Sequence, residues 1–431
     1  MIKYLVLFGL ISNSIFASDS SLNVRHIYLT LQNDPCTTIT LNVHGIGTPD
    51  ELTIYYDHQP HHTHVDSYAY QCSVRGREMK KLPDHRYIYQ VELTNLTPNT
   101  IYYFTIGDKD HAFSAECAFK TLANTPPYRF VEGGDWENTK AASTLATLAA
   151  SYNPEVILLG GDYPSGVLGL QDYQKWDCWL DTYCSTMRTQ EGCLIPCIMA
   201  IGNHEVIGGF GSKPEHAPFY FDYFRQGNTG TSYFSLPLGS ETKLFVLDSG
   251  HTQRHDGKQL DWLESELEAS KSAKIKLALY HVPIYPSIRF VKKNAAYKAI
   301  CYFLSFGKIE NFKKRLYSYA SLAGRKHWLP LFDKYKMTVA FEHHDQTLKR
   351  TKLLRSGKPH PEGTLYLGDG NWGSEIQYPP IQGYFNSYFK KLKGKSHFFW
   401  LVDIKPGEIS YSAISHENTI LDRSVQKVDL P

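Results

Sequence analysis

The chain has 431 residues, of which 42% are hydrophobic and 20% charged, a balance that excludes wholesale disorder. At about 100–200 residues per domain, that length sets an expectation of two or three domains. Lysine and arginine number 45 against 43 acidic residues, a net charge of +2, which excludes a bulk nucleic-acid binder, and no nucleic-acid-binding module is expected. Aromatic residues reach 14%, with 30 tyrosines, which suits a β-rich fold.

Residues 1–17 open with Lys3, continue through the apolar stretch Tyr4 to Ile11, and end at a small-residue cleavage point, Ala17-Ser18. This pattern reads as a secretory signal, the alternative being an N-terminal core strand. The apolar run is too short to span a bilayer, so no transmembrane anchor is expected in the mature chain, which is placed as secreted or periplasmic. Eight cysteines fit an oxidising compartment, and Cys178, Cys184, Cys193 and Cys197 cluster closely. Two disulfides stapling a loop are expected there, against a metal site, for which tight Cys-x-x-Cys pairs are absent, or free thiols.

From residue 18 to 122 short alternating runs are broken by turns, as in Ile39–Val43, Leu52–Tyr56 and Tyr87–Val91, and predict a β-sandwich. The stretch from Val91 through Leu96-Thr97-Pro98-Asn99 to the aromatic Tyr102-Tyr103-Phe104 resembles a fibronectin type III module, whose tyrosine corner closes the sandwich. His58, His61, His62 and His64 sit in a polar loop with Pro60 and read as a solvated turn rather than a chelating cluster. Thr121–Pro127 is a plausible linker, and the region 123–431 changes rhythm. Strands are predicted at Tyr128–Val131, Val156–Leu159 and Ile275–Tyr280, helices at Thr139–Tyr152 and 258–269, and closing strands near 398–403 and 409–414. Alternating strands and helices predict a layered α/β (α+β) domain with βαβ units.

Five short blocks carry chemistry: Gly133-Gly134-Asp135-Trp136-Glu137, Gly160-Gly161-Asp162-Tyr163, Gly202-Asn203-His204-Glu205, His281-Val282-Pro283, and His343-His344-Asp345-Gln346. Each follows an apolar strand or sits in a turn, where an α/β sheet presents its ligand groups. Carboxylates, an amide oxygen and imidazoles together suit borderline-hard divalent or trivalent metals. Two such ions sharing a carboxylate and a water lower the pKa of that water and clamp a phosphoryl oxygen.

In this order the blocks resemble the calcineurin-like metallophosphoesterases, and within them the purple acid phosphatases, which place a fibronectin-like domain before the catalytic one. Supporting segments are Phe245–Gly250, Gly257–Glu264, Leu365–Gly370 and Tyr411–Ile414. The resemblance implies a metallophosphoesterase sandwich behind an all-β domain. It implies that Asp162 bridges two metal ions (iron, zinc or manganese), that Asn203, His281 and His344 complete one site, and that Asp135 belongs to the other. His204 then stabilises the transition state or protonates the leaving oxygen, while a metal-bound hydroxide hydrolyses a small-molecule phosphate ester.

The second site departs from the family pattern. Ser165 stands where the family's tyrosine falls, and Gln346 stands at the second histidine of the Gly-His-x-His block. Glu137 occupies the place of a histidine used by the broader family, so Glu137, Asp135, Asp162 and Gln346 are expected to form an oxygen-rich site for manganese, magnesium or calcium. The alternative is that Glu137 is a solvated turn residue and the site is degenerate. The stretch 289–316 is basic and aromatic, with Lys292, Lys293 and Lys298 among its cations. It reads either as a cationic lid over the cleft or as an amphipathic helical insertion with a solvated basic face. The leading function is a secreted metal-dependent phosphoesterase. Its rivals are a degenerate single-metal or non-catalytic binding relative, and an adhesion protein built on the β-sandwich.

Overall fold

The computed structural model describes residues 22–47, 50–164, 166, 169–288, 318–368, 370–379 and 387–428. The signal-like segment, Ser165, Cys301 and the basic stretch 289–316 lie outside the described residues.

The N-terminal part is all-β: β1 (Asn23–Thr30), β2 (Ile39–Ile46), β3 (Glu51–Asp57), β4 (Tyr70–Arg75), β5 (Arg77–Glu78), β6 (Tyr87–Leu93), β7 (Ile101–Gly107) and β8 (Cys117–Lys120). Their alternating apolar residues face inward; in β3, Leu52 and Ile54 are buried and Glu51 and Thr53 face outward or sit at the margin. At the turn before β7 the Thr97 backbone N–H donates to the Tyr102 hydroxyl at 2.9 Å, folding the ring back onto its own loop.

The mixed α/β part begins with β9 (Tyr128–Gly133), α1 (Lys140–Ser151) and β10 (Val156–Leu159). The four side chains of β10, Val-Ile-Leu-Leu, are all buried, as a central parallel strand requires. Helix α1 starts where the Thr139 side chain accepts the Ala142 N–H, and it buries Ala142, Leu145, Ala146 and Ala149 at helical spacing. Next come α2 (Tyr173–Thr186), β11 (Cys193–Leu194), β12 (Cys197–Met199), α3 (Pro218–Tyr223), β13 (Phe234–Pro237), β14 (Thr242–Val246), α4 (Lys258–Ala269) and β15 (Ile275–Leu279). After the undescribed stretch follow α5 (Ser318–His327), α6 (Leu329–Lys334), β16 (Val339–Glu342), β17 (Leu348–Thr351) and the short hairpin β18 (Leu354–Arg355) and β19 (Lys358–Pro359). The chain closes with β20 (Leu365–Gly368), β21 (Phe389–Lys393), β22 (Phe398–Lys405), β23 (Glu408–Ser415) and β24 (Ile420–Lys427).

Two sheets face each other across a core that joins Phe130, Leu158 and Ile198 of one to Leu244, Leu277 and Phe341 of the other. One runs in the order β24-β23-β22-β9-β10-β12-β1-β2-β6-β5, the other β13-β14-β15-β16-β20-β17-β21. Helices α1–α3 cover the first sheet with a tryptophan-rich layer, and α4 and α6 cover the second through Leu263, Leu267 and Phe332. The first sheet runs on into the N-terminal part through one parallel pair, Thr30 with Cys197. Fully buried Arg86, from the N-terminal part, pairs with Asp177 on α2 (Nη2 to Oδ2, 2.8 Å), and the His26 ring meets Asp181 on the same helix at 2.8 Å.

The expected disulfides are not formed: the described cysteines are free thiols. The cysteine cluster is no loop. Cys178 and Cys184 stand six residues apart on α2, one exposed and one half-buried, while Cys193 and Cys197 are in strands, with the Cys197 sulfur held 3.5 Å from the Leu29 carbonyl.

Candidate metal centre

The parallel strands β9, β10, β15 and β16 end at one rim, and the blocks leave the strands there. Four non-glycine residues at this rim take left-handed backbone angles: Asp135 (φ 53°), Asp162 (φ 61°), His344 (φ 76°) and Gln346 (φ 56°). Such angles are uncommon outside glycine and concentrate where a functional site over-determines the backbone. Gly161 (φ 100°) is a glycine the turn demands on both counts, since a β-carbon there would also come 2.7 Å from His281 Nδ1.

Asp162, His281 and His344 converge, each buried and each offering one ligand atom within 4.8 Å of the others. His281 Nε2 is 3.1 Å from Asp162 Oδ2, 3.0 Å from His344 Nδ1 and 3.3 Å from Asn203 Oδ1. The other ring nitrogen, Nδ1, lies 2.9 Å from the Gly160 carbonyl, which only accepts, so Nδ1 carries the proton. In neutral His281 the lone pair of Nε2 therefore points at a carboxylate oxygen and an amide oxygen. Unshared lone pairs this close repel one another. A proton on Nε2 serves one neighbour at a time, whereas a cation serves all four groups. This donor set of carboxylate, amide oxygen and two imidazoles fits a borderline divalent metal. Burial opposes charge on Asp162, yet the positive charge that His204 and His281 carry when protonated holds its carboxyl well below the usual range.

His204 is half-buried beside this cluster. Its Nδ1 accepts the Gly166 N–H at 3.1 Å, which places the proton of the neutral ring on Nε2, 3.8 Å from Asp162 Oδ2. Beneath it lies Glu205, a residue of the third block to which the sequence assigned no role. Its carboxylate accepts the backbone N–H groups of Asp162 (2.9 Å), Tyr163 (2.6 Å) and Gly202 (2.6 Å). It thereby fixes the turn that aims Asp162, and burial, then the Asp162 charge, push its pKa up to about 8.

The expected second site is arranged differently. Asp135 is buried at the rim, but its Oδ1 accepts from the Gln346 amide Nε2 at 3.2 Å and its Oδ2 accepts the His344 backbone N–H at 3.0 Å. Tyr163 turns away: its hydroxyl accepts the Gly161 N–H and donates to the Ala200 carbonyl, and its ring packs against Trp176 and Trp179. Glu137 lies on the wall of an open cavity of about 540 Å³ with Thr139, Tyr378, Lys395 and His397, and is not one of the three convergent ligands. His343, at the family's glycine position, is buried with its Nδ1 donating to the Tyr280 carbonyl at 2.9 Å and its Nε2 against Glu132. Asp345 accepts the backbone N–H groups of Ser287 (2.7 Å) and Ile288 (3.0 Å), anchoring the segment that leads into the basic stretch.

Known proteins resemble this chain in both of its parts. Residues 24–121 match the purple acid phosphatase N-terminal domain, and residues 132–313 match the calcineurin-like phosphoesterase family. The chain therefore carries a purple acid phosphatase N-terminal domain followed by a calcineurin-like phosphoesterase domain. It is 26% identical over 220 residues to purple acid phosphatase 13 of Arabidopsis thaliana, covering 42% of this chain and 39% of that protein. It is 25% identical over 312 residues to purple acid phosphatase 15 of the same plant, covering 67% of this chain and 54% of that protein. The matches therefore span about half or less of those relatives' length. The structure of purple acid phosphatase PPD1 from yellow lupin (Lupinus luteus) seeds superposes with a TM-score of 0.70 at 14% identity, over 93% of this chain and 74% of that one. Within this phosphoesterase fold the centre occupies the strand-end rim where open α/β sheets bind ligands.

Proposed function

We propose that this phosphoesterase is a secreted hydrolase of small phosphate esters, dependent on a cation held by Asp162, Asn203, His281 and His344. The convergence of the His281 Nε2 lone pair with Asp162 Oδ2, His344 Nδ1 and Asn203 Oδ1 carries this reading, because a cation at their common point satisfies all of these acceptors at once. A bound cation supplies Lewis-acid stabilisation of a phosphoryl oxygen and lowers the pKa of a nearby water. The chain's own residues do the rest. The Gly160 carbonyl holds His281 in the ligating tautomer, and Glu205 holds the Asp162 turn. His204 presents an N–H at Nε2 beside the cluster, placed to protonate a departing ester oxygen. Lys3 and the apolar run Tyr4–Ile11 support export. Among the described residues no helix is long and apolar enough to cross a membrane.

The test is turnover of p-nitrophenyl phosphate by purified protein with manganese, iron or zinc added. Metal-dependent turnover that is lost in Asn203→Ala and His281→Ala is expected. A second reading, a non-catalytic ligand-binding relative, is favoured by the Gln346–Asp135 bond at the second position. Saturable phosphate binding without turnover under any of these metals decides for it.

A further inference from the structure

Given the cation proposed at Asp162, Asn203, His281 and His344, we infer that it is alone: the side-chain amide of Gln346 takes the place of a second cation. The four consecutive side chains of the last block divide their work. His343 points into the core toward Glu132, His344 faces Asp162, Asp345 holds the Ser287–Ile288 backbone, and Gln346 meets Asp135. A second cation would draw on Asp135, and each oxygen of that carboxylate already spends one of its two lone pairs on a hydrogen bond, from Gln346 Nε2 and from the His344 N–H.

The orientation of the Gln346 amide follows from chemistry: turned over, its oxygen would face the Asp135 carboxylate oxygen, and two acceptors would abut. It therefore offers Asp135 a donor, which is the office a metal ion performs for a carboxylate. The backbone holds this arrangement, because the Gln346 carbonyl accepts from Asn371 Nδ2 at 3.0 Å, and Asn371 Oδ1 in turn meets His397 Nδ1 at 2.9 Å. Gly370 closes the same pocket, since a β-carbon there would lie 2.8 Å from Asp135 Oδ2. Tyr163 does not replace the missing ligand, because it is committed to the Ala200 carbonyl and the α2 layer. Asp162 faces His281 with its Oδ2, while its Oδ1 accepts the His204 N–H at 2.8 Å.

The experiment counts metal. Metal-free full-length protein is equilibrated with manganese(II) chloride, desalted, and analysed by mass spectrometry for bound manganese and by electron paramagnetic resonance for coupling between ions. One manganese per chain, magnetically isolated, is expected. Two per chain with exchange coupling overturns the inference while leaving the first site standing. No bound manganese, and no bound iron or zinc in parallel loadings, overturns the first site and this inference with it. Gln346→His and Gln346→Glu each offer Asp135 a partner ligand in place of a donor, and at least one of them is expected to raise the count from one to two. A count that stays at one in a variant with unchanged circular dichroism removes Gln346 from its assigned role and overturns the proposal.

Discussion

The imidazole of His343 occupies the space that Gly160 leaves open: a β-carbon on Gly160 would overlap the ring outright. Gly134 and Gly370 border the same ring, with hypothetical β-carbons 2.6 and 2.8 Å from His343 Cδ2. The ring is enclosed on the floor of the site and paired with the buried carboxylate of Glu132, whose pKa burial raises and His343 counteracts. Gly160→Ala is expected to destabilise by about 2–3 kcal/mol through overpacking. His343→Ala is expected to cost about 3–5 kcal/mol by leaving Glu132 buried and unpaired. In the double variant the alanine no longer meets the ring, so the two effects should fall short of additivity by about 1–3 kcal/mol in chemical denaturation. Additive losses would contradict the contact.

Glu205 serves three backbone donors at once. Glu205→Ala leaves all three buried N–H groups without an acceptor, each costing about 1–3 kcal/mol. The turn bearing Asp162 should loosen, lowering both melting temperature and metal affinity. Glu205→Gln keeps one acceptor oxygen and should retain more of both. Isothermal titration with manganese beside thermal melts separates these outcomes; equal affinity in all three proteins would remove Glu205 from the site's support.

If His204 protonates the leaving oxygen, its replacement should matter most for poor leaving groups. His204→Ala is expected to lower kcat by about 100-fold or more on an alkyl phosphate. The loss should be several-fold smaller on p-nitrophenyl phosphate, whose phenolate departs without a proton. Equal losses on the two substrates would assign His204 to charge stabilisation instead.

Acid should weaken the fold through buried neutral histidines. Burial, then the neighbouring His251 and His327, lower the pKa of His255 to about 3 from 6.5; Asp256 opposes the shift, and Trp328 lies against the ring, centroids 4.4 Å apart. Burial, then His26, likewise hold His44 well below 6.5. The unfolded chain binds a proton at each residue below about pH 6.5, and the folded chain does so only at much lower pH. Stability present above that pH is therefore lost as the pH falls through this window, with a slope near 1.4 kcal/mol per pH unit for each histidine. His255→Gln should flatten the pH dependence of unfolding free energy between pH 6 and about 4. An unchanged slope would show that His255 does not titrate on unfolding.

The extent to which this architecture could be read in advance tracks the range of the forces involved. The apolar run Val156–Leu159 and the periodic helix Lys258–Ala269 are local patterns, and they appear where periodicity places them. The gathering of Asp162, His281 and His344 follows from strand ends sharing one rim, which an α/β alternation implies. Long-range pairings left no such trace. The partner of His343 is Glu132, 211 residues away, and only that contact explains a histidine at a position where the family has glycine. Gly134 and Gly160, which the blocks place beside the ligands, make room for that ring. The cysteine cluster suggested a stapled loop because spacing alone does not reveal that α2 carries two of its members.

The most direct test of the central claim is the metal dependence of phosphate-ester hydrolysis, measured on the same preparation as wild type and as Asn203→Ala and His281→Ala. The account predicts that chelated protein is inactive, that added manganese, iron or zinc restores turnover of p-nitrophenyl phosphate, and that neither variant recovers. Turnover that survives chelation, or that persists in both variants at the wild-type rate, would contradict it.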